Sequence, residues 1–201
     1  YDYINLAISL SSAFREDWYQ LKFAIEYNRE DYLNAEISAK ELLLNKPENK
    51  RYYVQLSAIY NILEKYDLSL ATIEVSYMKG LLEKPEEFTN LASFYLYKQN
   101  PAMSARVLET ALSNNKIEFD KANAKLLSDA WLFAKERSRS LEVIGKSLDA
   151  DPNDEKLIKQ YINIAFSAFN WDEVINGINR AEKNGIKDDG KHSLMIGIAF
   201  F

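Results

Sequence analysis

Residues 149–154, DADPND, place several acidic and amide oxygens at short intervals, a spacing that could bind calcium. A calcium loop of the EF-hand type also needs a glycine at its sixth position and a glutamate at its twelfth. Counted from Asp149, these positions hold Asp154 and Gln160, and Pro152 stiffens the middle of the stretch. We therefore predict a turn between two helices, in which Pro152 stops the first helix and Asp154 caps the second.

No other set of residues has the spacing of a catalytic or cofactor site. The chain contains no cysteine and one histidine, His192, so no second ligand of these types can join it in a metal site or a catalytic dyad. Adjacent carboxylates such as Glu86 and Glu87 point apart on a helix, and the six glycines form no phosphate-binding loop. The sequence thus predicts neither an enzyme nor a bound cofactor or metal.

The composition favours a helical protein. Of the 201 residues, 47% are hydrophobic and 27% are charged, and only 6 Gly and 4 Pro supply turns. A net charge of -5 without a local Lys/Arg cluster does not favour nucleic-acid binding. The longest apolar run, LMIGIAFF, is too short to span a membrane. Because the chain starts at Tyr1 and not at a methionine, we expect it to be a fragment of a longer protein.

A repeat of about 35 residues runs along the chain and is visible in two independent columns. The first column has steps of 35, 36, 34 and 35 residues and comprises Ser57, Ala92, Ser128, Ile162 and Gly197. The second has steps of 35, 36 and 34 residues and comprises Ser69, Ser104, Ser140 and Val174. Because both columns change their spacing in the same order, we predict one array with complete repeats at 15–49, 50–84, 85–120, 121–154 and 155–189. Residues 1–14 would be the second helix of a preceding repeat, and 190–201 the first helix of a truncated one.

Each repeat is predicted to be a pair of antiparallel helices. Apolar residues recur at helical spacing within each run, and short polar breaks such as KQNP separate the runs. Pro101 suits a first helical turn, and Gly80 and Gly185, each followed by an apolar residue, suit helix ends. The predicted helices cover 17–28, 32–45, 50–63, 67–79, 86–98, 101–114, 121–135, 138–149, 154–168, 171–184 and 191–201.

The first helix of a repeat carries an aromatic residue, a Leu followed by a small residue, and a Tyr; the second carries small, large and small residues and is followed by Pro. This pattern resembles the tetratricopeptide repeat (TPR) superfamily. This resemblance implies an all-α, right-handed superhelical solenoid of antiparallel helix pairs that binds a protein or an extended peptide. The phrases YVQLSAIYNILEKYDLSLATIEVSYMKGLL and LASFYLYKQNPAMSARVLETAL also look like the repeat proteins encoded beside bacterial TonB energy-transduction components. That closer resemblance implies a periplasmic accessory of TonB-dependent transport whose partner is a component of the TonB system.

In the superfamily, the first helix of each repeat lines a concave groove, and this predicts which side chains contact a partner. Aromatic rings supply rigid contact area and asparagine side chains bond to a peptide backbone. The predicted groove residues are Tyr19, Phe23, Tyr27, Asn61, Tyr97, Asp129, Phe133, Asn163 and Phe166.

Three alternatives to a peptide groove remain. The aromatic residues could be half-buried packing residues of a crowded superhelix. Lys159 and Asn163 have the spacing of a clamp for a C-terminal carboxylate, although Lys191 is the sole basic candidate in the unit after them. The array could also be a structural, oligomerisation or spacer domain in cell-envelope assembly, such as a pilus or secretion machinery, with no ligand in its groove.

Overall fold

The computed structural model describes residues 2–187 and 190–199, and all regular secondary structure within them is α-helical. The helices are α1 (Asp2–Leu10), α2 (Glu16–Asn28), α3 (Tyr32–Asn45), α4 (Lys50–Ile62), α5 (Tyr66–Met78), α6 (Pro85–Tyr97), α7 (Pro101–Ser113), α8 (Lys121–Phe133), α9 (Arg137–Ala150), α10 (Glu155–Ser167), α11 (Trp171–Lys183) and α12 (Lys191–Ala199). The predicted all-α class is confirmed, and the ends of α2 to α11 lie within two residues of those expected from the sequence. The first helix is shorter than expected, because α1 ends at Leu10 and the predicted helix covers residues 1–14.

The chain divides into two compact units, Tyr1–Lys84 and Pro85–Phe201. The first unit contains α1 and the antiparallel pairs α2/α3 and α4/α5, and α3 also packs on α4. The second unit contains the pairs α6/α7, α8/α9 and α10/α11, with α12 against α11. The helix pairs are confirmed, whereas a single array over residues 1–201 stays a prediction.

The turn inside each helix pair has a left-handed residue that is not glycine. These residues recur at steps of 34, 35, 36 and 34 and are Glu30, Glu64, Gln99, Lys135 and Phe169. The residue after each one donates its N–H to a carbonyl five residues back, as Asn100 does to Tyr95 at 2.8 Å. This is the hydrogen bond of a Schellman cap, which closes the first helix. Gly80 and Gly185, predicted to end second helices, are also left-handed.

The two small-residue columns face each other inside the pairs α4/α5 and α8/α9. Ser57 and Ser69 share a buried hydrogen bond of 2.8 Å between their Oγ atoms, and Ser128 and Ser140 share another of 2.8 Å. Small buried side chains let the two helix backbones approach closely. The repeat period therefore originates in the contact between the helices of a pair.

Residues 149–154 form the turn that the sequence predicts. The helix α9 ends at Ala150, and Asp154 caps α10 by accepting hydrogen bonds from the N–H groups of Lys156 and Leu157 at 2.8 and 3.1 Å. The Asp154 carboxylate also pairs with the Lys121 ammonium. The Asp149 carboxylate lies 3.6 Å from the Arg180 guanidinium. These acidic side chains therefore serve capping and ion pairing.

We expect Asp154→Ala to lower the free energy of unfolding by about 0.5–2 kcal/mol, because it removes an N-cap. The Lys121 ammonium, followed by the N–H of Leu157, holds the pKa of Asp154 below its ordinary value. A lowered folded-state pKa contributes stability above the unfolded carboxyl pKa of about 4, and this contribution is lost as the pH falls through the folded value. Urea unfolding at neutral and acidic pH measures both effects. Asp154→Asn should keep the cap and lose the pH dependence, and equal pH slopes in the wild type and Asp154→Asn would contradict this role.

Candidate functional site

A surface cavity of about 360 Å³ lies between the first helices α2 and α4 in the first unit. Its volume falls in the range of about 300–1,000 Å³ that small-ligand and side-chain pockets occupy. The lining combines apolar, amide and basic side chains: Gln20, Phe23, Ala24, Tyr27, Asn28, Arg51, Val54, Gln55 and Ala58. We call this the α2/α4 cavity.

Aromatic residues form part of the wall of the α2/α4 cavity. Phe23 is only 8% exposed and belongs to the core cluster with Leu42 and Tyr52, so its ring is held rigidly. Tyr27 is exposed, and its ring lies 6.0 Å from the ring of Phe23 and packs edge-on against Tyr32 at 5.7 Å. The helical spacing of four residues places Phe23 and Tyr27 on one face of α2. A partner side chain entering the cavity would therefore meet a preformed aromatic surface.

The two glutamines that line the α2/α4 cavity differ in their bonding. Gln20 donates from Nε2 to the Tyr52 hydroxyl at 2.6 Å, and that hydroxyl donates to Glu16. The hydrogen bond from Tyr52 is the main reason why the pKa of Glu16 is lowered. In contrast, the Oε1 atom of Gln55 is buried and has no hydrogen-bond partner among the described residues. An unpaired buried acceptor costs about 1–3 kcal/mol, which a donor on a bound partner would offset.

The other predicted groove residues of the first unit lie outside this cavity. Tyr19 is half-buried and stacks on Phe14 with ring centroids 5.0 Å apart, so it packs against the core. Asn61 is exposed near the end of α4. Of the four residues predicted in this unit, the structure brings Phe23 and Tyr27 together.

In the second unit, the predicted groove residues have different environments. Tyr97 and Phe133 are exposed at the ends of α6 and α8. Asp129 pairs with Lys125 one turn away, and Asn163 accepts a hydrogen bond from Lys191 at 2.9 Å. Phe166 packs edge-on against Trp171 beside the core, which gives it a structural role. Phe166 and Tyr19 are thus both half-buried beside a core cluster, which is the environment that the packing alternative expects.

Several lining residues were missed by sequence reasoning. Arg51, Val54 and Gln55 come from α4 and lie one to three turns before the predicted Asn61. Helical spacing alone could have shown that Val54 and Asn61 share a face of α4, because they are seven residues apart. No sequence signal distinguishes the unpaired oxygen of Gln55 from that of any other amide.

The described residues give no sign of a metal centre or a membrane span. Within residues 2–187 and 190–199, no three His, Cys, Asp or Glu side chains gather as a metal ion would require. The helices in this part of the chain lack the length and apolar composition needed to cross a bilayer.

Comparison with known proteins gives similarity in fold. No protein-family model and no curated protein matches the chain. YrrB, described as a TPR protein with an unusual peptide-binding site, superposes with a TM-score of 0.55 and 15% identity over 95% of each chain. The fold is TPR-like. A TPR protein from Parabacteroides merdae gives a TM-score of 0.50 at 13% identity, covering 98% of this chain and 76% of its own. MamA from Desulfovibrio magneticus gives a TM-score of 0.50 at 13% identity, covering 89% of this chain and 99% of its own.

Proposed function

We propose that the protein is a non-enzymatic interaction module that binds an extended segment of a partner protein at the α2/α4 cavity. The observation that carries this proposal is the unpaired, buried Oε1 of Gln55 in a cavity with an aromatic wall. A side chain of the partner would occupy the cavity, and a backbone N–H of the partner would donate to Gln55 after its side-chain amide rotates toward the cavity. Extended peptides are recognised by this combination of backbone hydrogen bonds and side-chain pockets.

The position of Val54 allows a direct test of the α2/α4 cavity. We expect Val54→Arg to weaken peptide binding by at least about tenfold, because the long charged side chain would fill the cavity. Peptides that bind the wild-type protein are selected from a displayed random library, and their affinities are measured by isothermal titration calorimetry. Val75→Arg is the matched control, since Val54 and Val75 are 48% and 45% exposed and Val75 lies on α5, outside the cavity. Both variants should keep the wild-type thermal midpoint.

A second substitution separates binding from folding. Gln55→Leu removes the unpaired acceptor, so it should leave the protein at least as stable while it weakens the same peptides. The proposal fails if no peptide is selected, if Val54→Arg binds as tightly as wild type, or if both arginine variants lose affinity equally.

The identity of the partner is proposed from the resemblance of the repeat phrases. Because they are similar to repeat proteins encoded beside TonB components, we propose a periplasmic partner from the TonB system. Purified periplasmic domains of such components should bind the wild-type protein and not Val54→Arg. Binding that is equal for both proteins, or absent from both, would contradict this assignment.

A second candidate function, self-association, is favoured by exposed apolar residues on α3. Leu33, Ile37 and Leu44 are exposed on this second helix. Exposed apolar side chains on one face can mark a protein interface. Light scattering distinguishes the candidates, because an oligomerisation domain would have a concentration-dependent mass that Ile37→Glu reduces to the monomer value.

A further inference from the structure

Two adjoining cavities flank α10 in the second unit. One has a volume of about 700 Å³ and is lined by Leu132, Arg137, Lys156, Lys159, Gln160, Asn163, Ile164 and Ser167. The other has a volume of about 150 Å³ and is lined by Lys159, Ile162, Asn163, Lys187, Lys191, His192 and Met195. Lys159 and Asn163 line both cavities, so the two adjoin at these side chains. We call the two cavities together the basic channel.

The basic channel concentrates positive charge in a protein with a net charge of -5. Five cationic side chains line it and none of its lining residues is acidic: Arg137, Lys156, Lys159, Lys187 and Lys191. Clustered charge of one sign in a recess focuses the electrostatic field on a ligand of opposite sign.

Internal pairing leaves much of this charge available. Lys159 pairs with Glu155 at 2.6 Å, and Lys191 donates to Asn163 at 2.9 Å. The side chains of Arg137, Lys156 and Lys187 are exposed and have no ion-pair partner among the described residues. Asp188 and Asp189, which follow Lys187 in the sequence, lie outside the described residues.

Apolar residues form the floor of the basic channel. Ile162, Ile164 and Met195 line it and belong to the core cluster of this unit. Leu132 packs against the same cluster. A ligand that fills the channel therefore meets cations at the rim and apolar surface beneath them.

We propose that the basic channel binds an acidic peptide segment in which Glu or Asp alternates with apolar residues. The carboxylates pair with the lysines and arginine at the rim, and the apolar side chains contact the floor. A short segment fits a recess between helices, whereas a long polyanion or a membrane would also contact the rest of an acidic surface. This site lies in the second unit and does not depend on the α2/α4 cavity.

The test uses a fluorescein-labelled peptide of about a dozen residues in which Glu alternates with Leu, amidated at its C-terminus, and measures anisotropy. We expect Lys156→Glu with Lys187→Glu to weaken binding at least about tenfold, because two cations are replaced by repelling charges. The matched control is Lys116→Glu with Lys146→Glu, which makes the same change of net charge at exposed lysines outside the channel. The control should bind within about twofold of wild type. Val54→Arg should also bind the acidic peptide normally, so the two proposed sites can fail separately.

Four results would overturn the proposal. Equal loss in both double variants would show that bulk charge alone drives binding. Equal affinity for a peptide with Gln in place of Glu would remove the role of the carboxylates. Binding only of a peptide with a free C-terminus would indicate recognition of a terminal carboxylate. Binding only of single-stranded DNA or of phosphatidylserine vesicles would assign the channel to a nucleic acid or a membrane.

Discussion

Trp131→Ala is expected to lower the free energy of unfolding by about 3–5 kcal/mol, the range for truncating a buried aromatic side chain. Trp131 is 2% exposed in α8, and its Nε1 donates to Glu109 of α7 at 3.0 Å. The Arg139 guanidinium of α9 lies 3.8 Å from the centre of the same ring and donates to Glu109 at 3.1 Å. One ring thus joins three successive helices, and its removal leaves a cavity and an ion pair without its stacking partner.

Urea unfolding followed by circular dichroism measures the effect of Trp131→Ala. Phe133→Ala is the control on the same helix, because Phe133 is 67% exposed and its truncation should change the free energy of unfolding by less than about 0.5 kcal/mol. Trp131→Phe keeps most of the aromatic surface and loses the hydrogen bond. It should therefore lower the free energy of unfolding by about 1 kcal/mol in addition to the loss from the smaller buried apolar area. Equal destabilisation by Trp131→Ala and Phe133→Ala would refute the role assigned to this ring.

The helix pairs could be predicted from the sequence because they depend on local patterns. The columns through Ser57 and Ser69 recur at the repeat period since each pair needs small residues where its helices touch. The cap at Asp154 was also predictable, because an acidic residue after a proline and before an apolar run is a helix N-terminus signal.

The turns inside the helix pairs were less predictable, because their left-handed residues are not glycines. Gln99 and Lys135 adopt positive φ values of 57° and 65°, which residues with a Cβ atom rarely do. The packed helices and the Schellman hydrogen bonds hold these residues in place. Local propensity gives no warning of a conformation that tertiary contacts impose.

The candidate sites could be predicted only in part. Periodicity placed Phe23 and Tyr27 on one face of α2, but it could not show that Phe23 is buried while Tyr27 is exposed. The basic channel combines Arg137, Lys159 and Lys187, which are far apart in the sequence and form no local cluster of charge. Such surfaces depend on how neighbouring repeats pack, which a single-helix pattern does not contain.

The contact between Ile162 and Gly177 explains why one repeat departs from the small-residue pattern. Ile162 stands in the column that elsewhere holds Ser57, Ala92 and Ser128, and it is buried. A Cβ atom added to Gly177 of α11 would lie 2.6 Å from Cγ1 of Ile162, closer than packed atoms approach. A large residue on α10 is therefore accommodated by the absence of a side chain on α11.

We expect Ile162→Ala to lower the free energy of unfolding by about 2–5 kcal/mol, because it creates a cavity in the core. Gly177→Ala should lower the free energy of unfolding by about 1–3 kcal/mol through overpacking. The better helix propensity of alanine should offset about 1 kcal/mol of this loss. In the double variant the new methyl group enters the space left by Ile162, so the combined loss should be smaller than the sum by at least about 1 kcal/mol. Urea unfolding of the four proteins gives this coupling energy, and additive losses would contradict it. Gly145→Ala is the control, because its Cβ would lie 3.6 Å from Tyr161, an ordinary contact, so that helix propensity should make this variant more stable than wild type.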